Sequence, residues 1–245
     1  MIKGVLFDKD GTLVEFNSLW VNSTYTMIHS IVSKYMKKDI EETSQKIATA
    51  VGLTGNQVKE DSILAGKTSE DLAHVIANML GADKNAIHEQ VNQFYYQSVV
   101  ENSDEIQAIC DLPSLFKKLK KNGLKVGIVT ADNADVTEYT IQKLGIERYV
   151  DFMGTADLYD KKPGAEAMEV FCKKFNLQSD EIIHIGDTSV DMEFSKHGLF
   201  GIGVLSGVSS EETLKQYTPY VIDSVAELID TNGRFRIPGF PQLQQ

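Results

Sequence analysis

The chain has 245 residues, an apolar fraction of 42%, a charged fraction of 24% and a formal net charge of −11. That length suits one large α/β domain, or a medium domain carrying an insertion. The acidic balance argues against nucleic acid or an anionic membrane surface as partner, and no run approaches the ~18 consecutive apolar residues of a membrane span. The run from Met1 to Phe7 is too short for a signal peptide, so the expected compartment is the cytoplasm. Cys110 and Cys172 lack ligand-like spacing and read as reduced, buried thiols.

Ile2 to Phe7 is almost wholly apolar, the pattern of a strand buried on both faces of a parallel sheet. From about Asn17 to Ser103 the periodicity is helical and no strand is evident. Trp20, Thr24, Met27, Ile28, Ile31 and Tyr35 fall at three- and four-residue steps, as do Leu72, Val75, Ile76, Met79 and Leu80. Gly52, Gly55, Gly66 and Gly81 mark helix ends or turns there.

After Pro113 the rhythm alternates. Helices are expected at 114–122, 134–144, 165–175 and 190–196, and strands at 125–129, 152–155, 182–185, 200–205 and 220–222. Alternation of this kind implies a parallel sheet with helices on both faces. The first strand belongs with strands that resume a hundred residues later, so the expected architecture is an α/β core, residues 1–15 and 105–245, interrupted by a helical cap, residues 16–104. The stretch from Gly233 to Gln245 has no periodicity and reads as a surface loop or frayed end.

In an open parallel sheet, ligands gather at the carboxyl ends of the strands. Four such ends carry polar residues. Asp8-Lys9-Asp10-Gly11-Thr12 follows the first strand, and a turn at Gly11 lets both carboxylates face one crevice, one as nucleophile and metal ligand, the other as acid and base. Thr130 ends the strand Val126–Val129, where its hydroxyl and the following backbone N–H, that of Ala131, suit a phosphoryl oxygen. Lys161-Lys162-Pro163 lies just beyond the Phe152 region and offers a cation. Gly186-Asp187-Thr188-Ser189-Val190-Asp191 follows Ile182–Ile185, with two aspartates about one helical turn apart. Hard oxygen donors without a His or Cys cluster suit magnesium rather than zinc. Each segment alone has an ordinary reading as a turn, a cap or a solvated face. All four at strand ends of one core do not.

These segments resemble the four motifs of the haloacid dehalogenase superfamily. Asp8-Lys9-Asp10-Gly11-Thr12 matches D-x-D-G-T, Thr130 the small hydroxyl residue, Lys162 the third-motif lysine, and Asp187 with Asp191 the G-D-x-x-x-D motif. The resemblance covers roughly residues 1–15 and 105–230, and the insertion resembles the helical cap of the phosphoglycolate phosphatase-like branch. It implies a Rossmann-like core and an Mg²⁺-dependent phosphomonoester hydrolase, a monomer or homodimer acting on a small phosphorylated metabolite. Asp8 would form an aspartyl-phosphate, Asp10 would act as acid and then base, and Thr130 and Lys162 would bind the phosphoryl group. Asp8, the backbone carbonyl of Asp10 and Asp187 would hold the metal, and Asp191 would orient Lys162 or metal-bound water. An aspartate at position 10 separates phosphatases from dehalogenases, which need no acid there, and from P-type ATPases, which place threonine there.

Two alternatives remain at this stage. A sugar phosphomutase of the β-phosphoglucomutase type shares core and cap, but its G-x-x-R signature falls here on Gly66-Lys67-Thr68-Ser69. A phospho-acceptor signalling module would carry its aspartate on a middle strand and leave the insertion unexplained. Lys67 is the cap residue singled out as a substrate contact. Lys161 is the fallback for Lys162. His184 reads as a core histidine, and His29, His74, His88 and His197 as surface residues.

Overall fold

The computed structural model describes residues 1–230, 234 and 236. The chain opens with β1 (Gly4–Phe7), then runs through α1 (Phe16–Tyr35), α2 (Ile40–Ala50), a hairpin of β2 (Leu53–Thr54) and β3 (Gln57–Val58), α3 (Ile63–Gly66), α4 (Ser69–Leu80) and α5 (Lys84–Glu101). It continues through α6 (Leu112–Lys121), β4 (Lys125–Val129), α7 (Ala134–Lys143), β5 (Phe152–Gly154), α8 (Glu166–Phe175), β6 (Ile182–Gly186), α9 (Ser189–Phe194), β7 (Phe200–Val204), α10 (Glu211–Lys215) and β8 (Val221–Ile222). Six strands form one parallel sheet in the order β5-β4-β1-β6-β7-β8. The fold is α/β, as the alternating pattern implies.

β1 sits at the centre because it has no polar residue to solvate. Its four residues are all buried, and it pairs with β4 on one side and β6 on the other, Phe7 lying level with Ile128 and Ile185. Alternation divides its side chains between two cores. Val5 and Phe7 join the larger cluster with Phe116, Ile128 and Ile185, whereas Leu6 joins the smaller one with Phe152, Phe171 and Phe194. The carboxyl ends of β1, β4 and β6 therefore lie side by side, and the backbone continues from them into Asp8, Thr130 and Asp187.

The helices between β1 and β4 end where local chemistry ends them. Thr68 and Asp71 form a reciprocal capping box at the start of α4, Gly81 closes that helix in the left-handed conformation, and Asp83 caps α5. Asp111 caps α6, which starts two residues before the expected boundary with Pro113 in its first turn. One expectation for this segment is corrected. Leu53–Thr54 and Gln57–Val58 pair as a short antiparallel hairpin, its turn including Gly55 at a φ of 56°. Two residues per strand are too few for alternation to register.

Both cysteines are free, and both are half-buried rather than buried. His88 is also half-buried, bonded to Ser69 and Asn92. Among the described residues no helix is long and apolar enough to cross a membrane. Of the tail from Gly233 to Gln245, only Arg234 and Arg236 are among the described residues.

Candidate active site

Asp8 leaves β1 with its backbone N–H bonded to the Ile185 carbonyl of β6 at 2.8 Å, which fixes the first turn of the loop against the neighbouring strand. Gly11 then turns the chain with φ of 80°. A Cβ there would lie 2.5 Å from Asp187 Oδ2, so both its conformation and its neighbour demand glycine. Gly207 approaches from the other side, where a Cβ would fall 1.9 Å from the same oxygen. Asp187 is thus packed between two bare backbone segments. Its oxygens accept from Thr12 Oγ1 at 3.4 Å and from the Val208 N–H at 2.8 Å.

Lys162 is the hinge of the charge arrangement. Its Nζ lies 2.5 Å from Asp8 Oδ1 and 2.6 Å from Asp191 Oδ1, with all three side chains buried. Asp191 is anchored twice more: His184 Nε2 meets Oδ1 at 3.0 Å, and Oδ2 accepts from the Thr188 N–H and hydroxyl at 3.1 and 2.6 Å. The capping box of α9 is therefore Thr188 with Asp191, and neither Asp187 nor Ser189 serves as its cap. His184 is a core histidine that also steadies Asp191. Lys161 turns away and pairs with Asp71 of α4 at 2.7 Å.

Oxygens of Asp8, Asp187 and Asp191 all lie within 4.8 Å of one another. Three buried carboxylates around one ammonium leave excess negative charge. Burial, partly offset by Lys162, raises the Asp8 carboxyl to about 7. Burial together with the Asp8 and Asp191 charges pushes Asp187 well above the usual range. Burial acts on Asp191 in the same sense, but Lys162 and His184 outweigh it and hold that carboxyl low. An all-oxygen donor set with surplus negative charge fits a hard divalent cation.

Asp10 has other partners. Its carboxylate is not among the three clustered ones: Lys9 Nζ lies 2.6 Å from Oδ2, and Trp20 Nε1 of α1 donates to Oδ1 at 2.6 Å. Lys9 also pairs with Asp132 Oδ2 at 2.9 Å. Thr130 is buried at the end of β4; its N–H is bonded to the Gly154 carbonyl at 3.0 Å, and its hydroxyl accepts from the Asp132 N–H at 3.2 Å.

Asp8, Asp10, Thr130, Ala131, Lys162 and Asp191 line one pocket of about 630 Å³, its open mouth included. Lys67 reaches the same pocket from the turn between α3 and α4, beside Phe16, Trp20, Leu72 and Tyr95. Asp187 is not part of this lining. Lys9, Trp20 and Asp132 escaped sequence reasoning. Lys9 occupies the variable position of the first motif, and Trp20 looked like one more core residue of a helix face.

A family model described as "Haloacid dehalogenase-like hydrolase" matches residues 5–204. The chain belongs to the haloacid dehalogenase-like hydrolases. Among curated relatives of this family, it is 24% identical over 237 residues to a glyceraldehyde 3-phosphate phosphatase of Methanocaldococcus jannaschii, covering 94% of this chain and 96% of that one. It is 25% identical over 236 residues to the pyrophosphatase PpaX of Bacillus velezensis, covering 95% and 97%. Among solved structures it resembles a hydrolase from Pseudomonas syringae, with TM-score 0.66, 20% identity and coverage of 92% and 95%. It likewise resembles a β-phosphoglucomutase from Clostridium difficile, with TM-score 0.65, 20% identity and coverage of 93% of each chain. The two structures share its fold. Within the haloacid dehalogenase-like hydrolases, the chain is an enzyme of the phosphatase type.

Proposed function

We propose that the chain is an Mg²⁺-dependent phosphomonoester hydrolase acting on a small phosphorylated metabolite, with an aspartyl-phosphate formed on Asp8. The observation that carries this reading is the division of labour between the two aspartates of the first strand end. Asp8 is bonded to Lys162 at the floor of the pocket, while Asp10, two residues on, is held by a separate set of partners.

In this reading Asp8 attacks phosphorus as the ester oxygen leaves. Asp10 protonates that oxygen and then takes a proton from the water that resolves the intermediate. Lys162 and the Thr130 hydroxyl hold the phosphoryl oxygens, joined by the Ala131 backbone N–H, and Asp191 keeps Lys162 in place. Asp8, Asp187 and the backbone carbonyl of Asp10 would hold Mg²⁺, which when bound neutralises charge on the phosphoryl group. Residues 16–104 form the cap that closes over the core, residues 1–15 and 105–245, and excludes water.

The substrate class is that of phosphoglycolate, small sugar phosphates and nucleoside monophosphates, with Lys67 reaching the distal end. The names of the relatives add glyceraldehyde 3-phosphate and pyrophosphate to the panel. The mutase alternative is disfavoured because the first arginine of the chain is Arg148, far from the Gly66–Ser69 turn in sequence. A panel of these phosphate compounds, assayed with Mg²⁺ and with EDTA, tests the reading. Release of phosphate that depends on Mg²⁺ is expected. Activity indifferent to EDTA would overturn the metal assignment, and conversion of β-glucose 1-phosphate to glucose 6-phosphate without free phosphate would favour the mutase.

A further inference from the structure

Lysine is among the side chains least often fully buried, yet Lys9 is 1% exposed. It stands between the two aspartates of the first strand end, and its Nζ lies 2.6 Å from Asp10 Oδ2, 2.9 Å from Asp132 Oδ2 and 5.4 Å from the centroid of the Trp20 ring. Taking an ammonium out of water is costly unless its partners are well placed. A methionine would fill similar space without that cost, so packing alone does not call for a lysine.

The geometry around Asp10 does. One carboxylate oxygen takes the Trp20 Nε1–H from α1 at 2.6 Å, and the other meets Lys9, which is itself tied to Asp132. The Asp132 backbone N–H is bonded to the Thr130 hydroxyl at 3.2 Å, which places the residue beside Lys9, and its carboxylate meets Lys9 as an ion pair. Both oxygens of Asp10 are therefore engaged, one by a hydrogen bond from α1 and the other by an ion pair with Lys9. A carboxyl that must meet a leaving oxygen within hydrogen-bond reach needs that restraint, because misplacement by about 1 Å can cost ~10²-fold in rate.

We propose that Lys9, anchored by Asp132, is a positioning residue that holds the Asp10 carboxyl in the orientation used for proton transfer to the leaving oxygen. The inference rests on the reading of Asp10 as the acid and base. As the Asp8 oxygen–phosphorus bond forms and the phosphorus–ester oxygen bond breaks, the freed electron pair takes the proton from Asp10. In the second half Asp10 takes a proton from water as the water oxygen bonds to phosphorus and the Asp8 oxygen departs. Lys9 touches neither reacting atom and acts through Asp10 in both.

Proton delivery matters most where the leaving oxygen is basic. The test is kcat/KM of wild type and Lys9→Met on p-nitrophenyl phosphate, phenyl phosphate and glycerol 2-phosphate, at saturating Mg²⁺. The expected result is a graded loss, about 10²-fold on glycerol 2-phosphate and less than about threefold on p-nitrophenyl phosphate. An equal loss on all three esters would mean a structural role only and would overturn the proposal. If Lys9→Met does not fold, Lys9→Met/Asp132→Asn removes the ion pair without stranding the Asp132 charge. The same gradient is expected there, and wild-type activity on glycerol 2-phosphate in that variant would overturn the proposal. Wild type inactive on every ester would overturn the phosphatase reading itself, and the inference with it.

Discussion

Trp20 Nε1 and Asp10 Oδ1 lie 2.6 Å apart, joining α1 to the loop after β1. A residue of the helical insertion thus grips the carboxylate read as the acid and base, and Tyr95 of α5 backs the indole edge-on at 4.9 Å. Replacing Trp20 by phenylalanine keeps an aromatic ring and removes only the donor. A hydrogen bond to a charged group contributes about 1.5–3 kcal/mol, so kcat/KM on alkyl phosphates should fall roughly 10- to 100-fold with a smaller effect on p-nitrophenyl phosphate. Steady-state kinetics on both esters check this, and an unchanged alkyl rate would refute it.

Asp8→Asn keeps the shape of the proposed nucleophile and removes its charge. Activity on the phosphate panel should drop by about 10³-fold or more, since an amide oxygen is a poor nucleophile. Full hydrolysis of p-nitrophenyl phosphate by this variant would sink the covalent mechanism. Rapid-quench labelling of wild type with ³²P-phosphoester, absent in the variant, gives an independent readout.

Lys162 is the only ammonium paired with Asp8 and Asp191 among the described residues. Lys162→Met strands both carboxylates, and breaking a buried pair by removing one partner costs about 3–5 kcal/mol. Thermal unfolding at pH 8 should show a Tm lower by roughly 6–20 °C for a chain of this size. A Tm within about 2 °C of wild type would mean that the pair is not held in solution as it is here.

The raised carboxyls make stability fall with pH in metal-free protein. Asp8 has an ordinary value of 3.8 and sits at about 7 when folded; Asp132 is raised by burial to about 6, despite Lys9. Between those values the folded chain binds protons the unfolded chain has lost. The corresponding stability is fully present below about pH 4 and disappears as pH rises through 6 to 7. Mg²⁺ favours the ionised carboxylates, so the Tm gain on adding it should be larger at pH 8 than at pH 5. Scanning calorimetry at the two pH values, with and without Mg²⁺, decides; equal gains would contradict the assignment.

Gly207→Ala places a Cβ against Asp187 Oδ2. The loop backbone has to shift or Asp187 has to swing, and either disturbs the carboxylate assigned to the metal. The Mg²⁺ concentration giving half-maximal activity should rise by about 10-fold or more, with KM for the ester changed much less. An unaltered Mg²⁺ dependence would remove Asp187 from the metal site.

The parallel α/β core and the four strand ends are legible in the sequence alone. Both depend on local signals: an uninterrupted apolar run, helix-to-strand alternation, and polar residues where those runs stop. The sequence also singled out Asp8, Thr130, Lys162 and Asp191, which the fold brings to one pocket, because residues at the ends of adjacent parallel strands have nowhere else to converge. Tertiary structure alone decided how the charges pair. Lys162 and Lys161 are neighbours with the same chemistry, and only the path after β5 sends one to Asp8 and the other to Asp71. Asp8 and Asp10 are two residues apart in one motif, and only packing separates them, the first onto Lys162 and the second onto Lys9 and Trp20. Lys9 in particular reads as a solvated lysine in any local window. Its burial arises from Asp132 and Trp20, which approach from β4 and α1, and a contact between segments distant along the chain leaves no periodic trace in any of them.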